Sequence, residues 1–238
     1  MGHRSYRTIM ERHVPNLAIL AALPREIAAV VRGTRPDADL LRQGIHLHRL
    51  PGCIVVAAGM GSRRVTLALE SALKTSPGIT TLISAGLAGA CTGRLTPGTV
   101  TEAGMIIDAQ SGERHTAAAE GTTLITTHAI ASVQEKIRLA ATYKADLVDM
   151  EAATVARLAA AHGLRFRAIK AVSDAHDFEL ASLSHFATQH GHFRTGAFAF
   201  HTALRPHTWR KTMHLGRNSN RALAALTVAL NAAINEVH

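Results

Sequence analysis

Short apolar, β-branched runs alternate with longer alanine-rich stretches along this chain, and acidic residues stand where several of the runs end. Residues 17–23 (LAILAAL) read as a buried strand, broken at Pro24-Arg25 and followed by a short helix from Glu26. Residues 46–50 and 53–58 read as a hairpin turned at Pro51-Gly52. Residues 64–75 carry Val65, Leu69 and Ala72 at helical spacing and stop before Pro77-Gly78. A strand over 79–85 is expected to run into a turn at Gly86 to Gly89. Further strands are predicted over 98–107, 122–127, 146–150 and 167–172, and helices over 133–142 and 151–162. Two more helical segments, 193–204 and 219–237, close the chain.

Strands interleaved with helices predict an α/β fold, a sheet with parallel pairs and helices on both faces. No repeat period, low-complexity tract or linker divides the sequence. The expected organisation is a flexible basic segment over 1–14 and a single domain over 15–238, with a basic helical extension from about residue 190.

The 238 residues carry a formal charge of +9, unevenly distributed. From His190 onward Arg194, Arg205, Arg210, Lys211, Arg217 and Arg221 face only Glu236. Such a tail attracts phosphorylated ligands, nucleic acid or anionic lipid, or simply keeps a face solvated. The stacked aromatics of a single-strand binder and the spacing of a DNA-reading motif are missing, so nucleic acid is not an expected partner. Cys53 and Cys91 stand far apart in apolar surroundings and read as buried thiols. The N-terminus has no apolar core followed by a cleavage site, which predicts a cytoplasmic protein.

In layered α/β sheets ligands collect beyond the carboxyl ends of strands. The residues there are Glu26, the loop Gly59-Met60-Gly61, the run Gly86-Leu87-Ala88-Gly89, the group Asp149-Met150-Glu151, and Ser173-Asp174. One such acid is ordinarily a helix cap; several that converge make a site. Gly59 and Gly61 open a helix, where backbone N–H groups can approach an anion or a ribose hydroxyl, though a tight turn explains them equally. The small residues 86–89 suit close packing of a planar ligand. Glu151 begins a helix whose dipole favours the ionised form, ready to accept two hydrogen bonds from a vicinal diol. Asp174, at a buried strand end, suits a general acid, and Glu26 a base acting on water. The fifteen histidines show no metal-ligand spacing, and no serine-nucleophile elbow or phosphate-binding lysine loop occurs.

The stretches LAILAALPREIAAV from Leu17, AAGMGSRRV from Ala57, SAGLAGA from Ser84, VDMEAATVA from Val148 and AIKAVSDAHD from Ala168 resemble, in order, the nucleoside phosphorylases. The likeness is stronger to the bacterial 5′-methylthioadenosine/S-adenosylhomocysteine nucleosidases. It implies a three-layer α/β/α nucleoside phosphorylase-like fold around a mixed, partly barrel-like central sheet. It also implies roles: Glu26 activates water, Met150 lies under the sugar, Glu151 holds its hydroxyls and Asp174 protonates the purine. The implied reaction cleaves the N-glycosidic bond of a 5′-substituted adenosine such as methylthioadenosine or S-adenosylhomocysteine. No cofactor or metal is expected. Phosphate stays open as a co-substrate, because Arg25, Arg63 and Arg64 lie in the same loops.

Two departures loosen the substrate. Residues 108–121 form a much shorter connection than in the nucleosidases, and Leu87 replaces a serine in the sugar-proximal turn. Both predict a more open, more apolar pocket. With the basic tail bearing Phe193, Phe198, Phe200 and Trp209, the chain also looks like the hopanoid-associated phosphorylase-like branch, which is thought to release adenine from adenosylhopane. The tail then serves peripheral membrane contact, helical packing or a homo-oligomer contact, the last usual in the family. A nucleoside-binding module without catalysis and a basic membrane or nucleic-acid adaptor are the competing classes.

Overall fold

The computed structural model describes residues 15–179 and 209–236, with side chains given from 216 in the second stretch. The predicted helix over 193–204, residues 1–14 and the aromatic side chains of the tail lie outside the described residues.

The order of elements is β1 (Leu17–Ala21), α1 (Pro24–Ile27), α2 (Ala38–Arg42), β2 (His46–Leu50), β3 (Cys53–Ala57), α3 (Ser62–Thr75) and β4 (Thr81–Ala90). It continues through β5 (Val100–Asp108), β6 (Arg114–Thr116), β7 (Thr122–Thr126), α4 (Val133–Tyr143) and β8 (Leu147–Asp149). It ends with α5 (Ala152–Ala161), β9 (Arg165–Asp174) and α6 (Trp209–Asn235). The sheet runs β2-β3-β1-β4-β8-β7-β5-β6, with β9 pairing both β4 and β5. It is mixed: β1 is parallel to β3 and β4, whereas β2–β3, β4–β8 and β5–β9 are antiparallel. Because β9 bridges β4 and β5, the strands β4, β8, β7, β5 and β9 form a closed cycle of pairings. The expected mixed, partly barrel-like sheet is what the backbone forms.

Strand alternation explains the layers. Leu17, Ile19 and Ala21 of β1 face a core cluster with Ile27, Val31, Leu226 and Leu230, so α1 and α6 cover one side. Ala18 and Leu20 face the other cluster with Val65, Leu69 and Val155, so α3 and α5 cover the opposite side. Each fully buried Leu or Ile contributes about 1.5–3 kcal/mol, which makes the registry of this strand costly to shift. Ala222, Leu226, Leu230 and Ala233 of α6 are buried in the first cluster, so this portion of the basic tail is helical packing.

One local expectation is corrected. Gly86 to Gly89 is not a turn: it is the second half of the ten-residue strand β4, paired along β9 from Gly86↔Lys170 to Gly89↔Asp174. The short connection over 108–121 carries β6, which pairs antiparallel with β5.

Candidate functional site

A cavity of about 370 Å³ opens where the ends of β1, β4, β8 and β9 meet, with Glu26, Met150, Glu151 and Asp174 in its wall. These residues come from three separate stretches of the chain, and the fold brings them together. Leu87, Ala88, Gly89, Asp149 and Ser173 also line it. Gly59, Gly61 and Gly86 stand one step behind the wall.

Glu26 sits in the third position of α1, which Pro24 opens with a preset φ and no lost hydrogen bond. Its carboxylate turns back: Oε2 accepts the N–H of Ala22 at 3.1 Å and of Leu23 at 2.8 Å. Oε1 accepts the N–H of Leu87 at 2.9 Å. Three backbone donors therefore fix a carboxylate that is only 5% exposed. Gly86, at φ +149°, is small because a Cβ there would lie 3.0 Å from Glu26 Oε1.

Asp174 ends β9 at a register shift opposite Ala88 and Gly89, and such bulges re-aim side chains. Ser173 occupies the shift; its hydroxyl donates to Asp174 Oδ1 at 2.5 Å and also approaches the Ala88 carbonyl at 3.3 Å. Lys136 of α4 donates to Asp174 Oδ2 at 2.5 Å, a pair 1% and 2% exposed. A Cβ on Gly89 would lie 2.9 Å from Asp174 Oδ2. The glycines of SAGLAGA thus make room for two carboxylates, and Gly89 also lines the cavity. Leu87 and Gly89 mark the Glu26 and Asp174 ends of the site, about 6–7 Å apart along β4.

The third group sits at the start of α5. Asp149 Oδ1 accepts the Thr126 hydroxyl at 2.6 Å, and Oδ2 accepts the Ala152 N–H at 3.0 Å. The same oxygen meets the Lys170 ammonium at 2.8 Å. Asp149 therefore satisfies the first N–H of α5 and holds Lys170, and it also lines the cavity where a substrate contact was expected of it. Relieved of capping, Glu151 reaches across to accept the Gly61 N–H at 2.9 Å. Desolvation first, and the Asp149 carboxylate second, push the Glu151 carboxyl up to about 7, against the pull of Lys170 and the Gly61 N–H. The helix dipole, expected to favour the ionised form, is opposed here by burial. Burial opposes the charge of Lys170, but Asp149 and Glu151 outweigh it and hold the ammonium above the usual lysine range.

The glycine loop also departs from expectation. Gly59 donates its N–H to the Ala22 carbonyl at 2.8 Å and Gly61 donates to Glu151, so neither offers a free N–H to an anion. Their positive φ, +111° and +87°, shape the loop, and Met60 between them lines the cavity. Of the three loop arginines only Arg25 lines the cavity; Arg64 donates to the carbonyls of Ala58 and Gly44.

Sequence reasoning missed Lys136 and the α6 residues Gly216, Ser219 and Asn220 that form a further wall. Lys136 had one legible signal, a charge on the same helical face as buried Leu139. Among the described residues no group of three or more His, Cys, Asp or Glu is placed to hold a metal ion. No described helix is long and apolar enough to cross a membrane.

Comparison with known proteins bears on the fold. Residues 104–199 match the family model of the phosphorylase superfamily. This segment is similar to that superfamily, and the fold of the chain is nucleoside phosphorylase-like. Among solved structures it is similar to the 5′-methylthioadenosine nucleosidase of Arabidopsis thaliana, at TM-score 0.71 and 17% identity over 95% of this chain and 97% of that one. It is also similar to the futalosine hydrolase of Helicobacter pylori, at TM-score 0.67 and 15% identity over 94% and 98% of the two chains. A mutant Helicobacter pylori nucleosidase with 5′-methylthioadenosine in its active site gives TM-score 0.66 and 14% identity over 93% and 99%. No curated protein sequence matches the chain.

Proposed function

We propose that the chain is a purine nucleoside N-glycosidase, releasing adenine from a 5′-substituted adenosine such as methylthioadenosine or S-adenosylhomocysteine. The observation that carries this reading is the convergence of Glu26, Met150-Glu151 and Ser173-Asp174 on one cavity, with the Glu26 and Asp174 ends separated by room for a sugar. Cleavage is dissociative. The C–N bond breaks as the base takes a proton at the Asp174 end, and an oxocarbenium-like ribosyl group forms over Met150. Glu151 accepts hydrogen bonds from the ribose diol. Water positioned by Glu26 then adds to the anomeric carbon and loses its proton to the Glu26 carboxylate.

Hydrolysis is favoured over phosphorolysis, in which phosphate would be the co-substrate. Glu26 is fixed by three backbone donors, Arg64 is committed to carbonyls, and Arg25 alone of the loop arginines reaches the wall. The apolar wall of Leu23, Met60, Leu87 and Ile130 suits an apolar 5′ group, which also supports adenosylhopane as a second substrate reading. A cytoplasmic enzyme meeting a membrane only peripherally, and acting as a homo-oligomer, belongs to the same proposal. The test is base release from methylthioadenosine, S-adenosylhomocysteine, adenosine and an adenosyl lipid, with and without phosphate. Release of adenine without phosphate is expected. No release from any of them overturns the enzyme reading in favour of a binding module.

A further inference from the structure

Beyond the three acids, the molecule buries a lysine whose chemistry the proposed reaction has not used. Lys136 is 1% exposed, and its ammonium donates to Asp174 Oδ2 at 2.5 Å, the Ala175 carbonyl at 2.9 Å and the Phe178 carbonyl at 3.3 Å. All three donors point at one strand end and the turn that follows it. The helix carrying Lys136 is itself fixed: Ser132 accepts the Glu135 N–H at 3.2 Å, and the Val133 N–H donates to Glu179 of that same turn at 3.3 Å. A buried cation of this kind costs several kcal/mol to desolvate, and an apolar residue of similar size is ordinarily at least as stabilising. Lys136 is also in the cavity wall, beside the carboxylate assigned to the departing base.

Resting on the proposed N-glycosidase reading, we propose that Lys136 is the positioning residue for Asp174. It fixes the orientation of the carboxylate together with Ser173, each group holding one of its two oxygens. The lysine does not touch the reacting atoms.

The other ionisable groups around the pair are accounted for by element. From the end of β4, the Cys91 thiol is pushed up to about 12 by burial and is silent in the working range. Before β8, Asp146 is paired with Arg94 at 2.6 Å. On α4 itself, Glu135 is held below the usual carboxylate range by Arg138. In the turn, Glu179 accepts from Val133, and His176 lies over Gly93. Glu151, Lys170 and Asp149 belong to the sugar end.

The experiment compares the pH profile of kcat/KM for base release in the native protein and in Lys136→Met, Lys136→Gln and Lys136→Arg. Adenine binding is measured by calorimetry over the same range, a readout that needs no turnover. Loss of the charge is expected to move the alkaline limb of activity upward, and the pH dependence of adenine affinity with it. Lys136→Arg keeps the limb in place while kcat falls, because the charge stays and the orientation does not. Should Lys136→Met not fold, Lys136→Gln, which keeps a donor to Asp174 without charge, gives the same shift. A limb unmoved in the uncharged variants overturns the role of Lys136 and leaves the enzyme reading standing. A limb that vanishes in His176→Asn overturns it too, by assigning the titration to the imidazole. If the native protein neither releases nor binds adenine, the enzyme reading falls and the role of Lys136 with it.

Discussion

Glu151 and Gly61, ninety residues apart in sequence, are joined by a 2.9 Å hydrogen bond from the glycine N–H to the glutamate Oε1. This bond links the loop before α3 to the start of α5. It also holds a carboxylate in a wall where burial has pushed its carboxyl up to about 7. A folded-state value above the unfolded one means that the native protein holds this proton more tightly. The stability contributed by the group is therefore full below about pH 4 and is lost as pH rises through about 7. Relative to Glu151→Gln, the native chain should lose about 1–2 kcal/mol between about pH 5 and 8, the figure reduced for solvent screening. Denaturant unfolding of both proteins at the two pH values measures it, and a difference that stays flat contradicts the assignment. Substrate KM should fall over the same interval, since only the ionised carboxylate accepts both hydroxyls.

Glu26→Gln tests the acid at the opposite end. The native carboxylate accepts three backbone N–H groups, from Ala22, Leu23 and Leu87. A carboxamide presents one oxygen and an NH2 to those donors, so at least one N–H loses its acceptor. The expected cost is about 1–3 kcal/mol in unfolding free energy. Base release should fall about 10²-fold or more through loss of the group that takes the proton of water. Stability lost with turnover unchanged would make Glu26 a purely structural anchor.

Most of the fold was legible because its strands are short apolar runs with clear stops. The strand Leu17–Ala21 and the hairpin of β2 and β3 needed nothing beyond local pattern. The candidate acids were legible by their place at strand ends. What was hidden depends on partners distant in sequence. Gly86 and Gly89 read as a turn locally, but they stay in strand because Glu26 and Asp174 pack against them. The N–H of Gly61 reads as free until Glu151 arrives from the far side. Lys136 and Asp174, 38 residues apart, meet only when the start of α4 packs beside the end of β9.

Gly89→Ala makes that packing measurable. The added Cβ would stand 2.9 Å from Asp174 Oδ2 and 3.2 Å from Lys136 Cε. The lysine stem can give slightly, whereas the carboxylate is held on both oxygens, so the displacement falls on the ion pair. A stability loss of about 1–3 kcal/mol is expected, as for overpacking elsewhere. Base release should drop about 10-fold or more, with kcat affected more than KM because the sugar end is untouched. Equal activity of Gly89→Ala and the native protein would show that Asp174 is not held where the geometry puts it.

Asp174→Asn removes the acid without changing its shape, and the buried lysine beside it makes the consequence larger than a missing proton. The carboxamide is nearly isosteric with the carboxylate, so Ser173 and the backbone of β9 have no steric reason to move. Lys136, however, keeps its charge at 1% exposure with no anion beside it, only the neutral oxygens of the carboxamide, Ala175 and Phe178. Breaking a buried pair in this way costs about 3–5 kcal/mol. For a chain of this size that corresponds to a fall of roughly 10 °C in Tm, by the usual 2–4 °C per kcal/mol. Activity is therefore assayed well below the lowered Tm, where the variant is still folded, and base release should be at least about 10²-fold slower. Adding Lys136→Met to Asp174→Asn removes the stranded charge and should recover most of the lost Tm while recovering none of the activity. Recovery of both together would mean that Asp174 supports the fold alone and has no part in base departure.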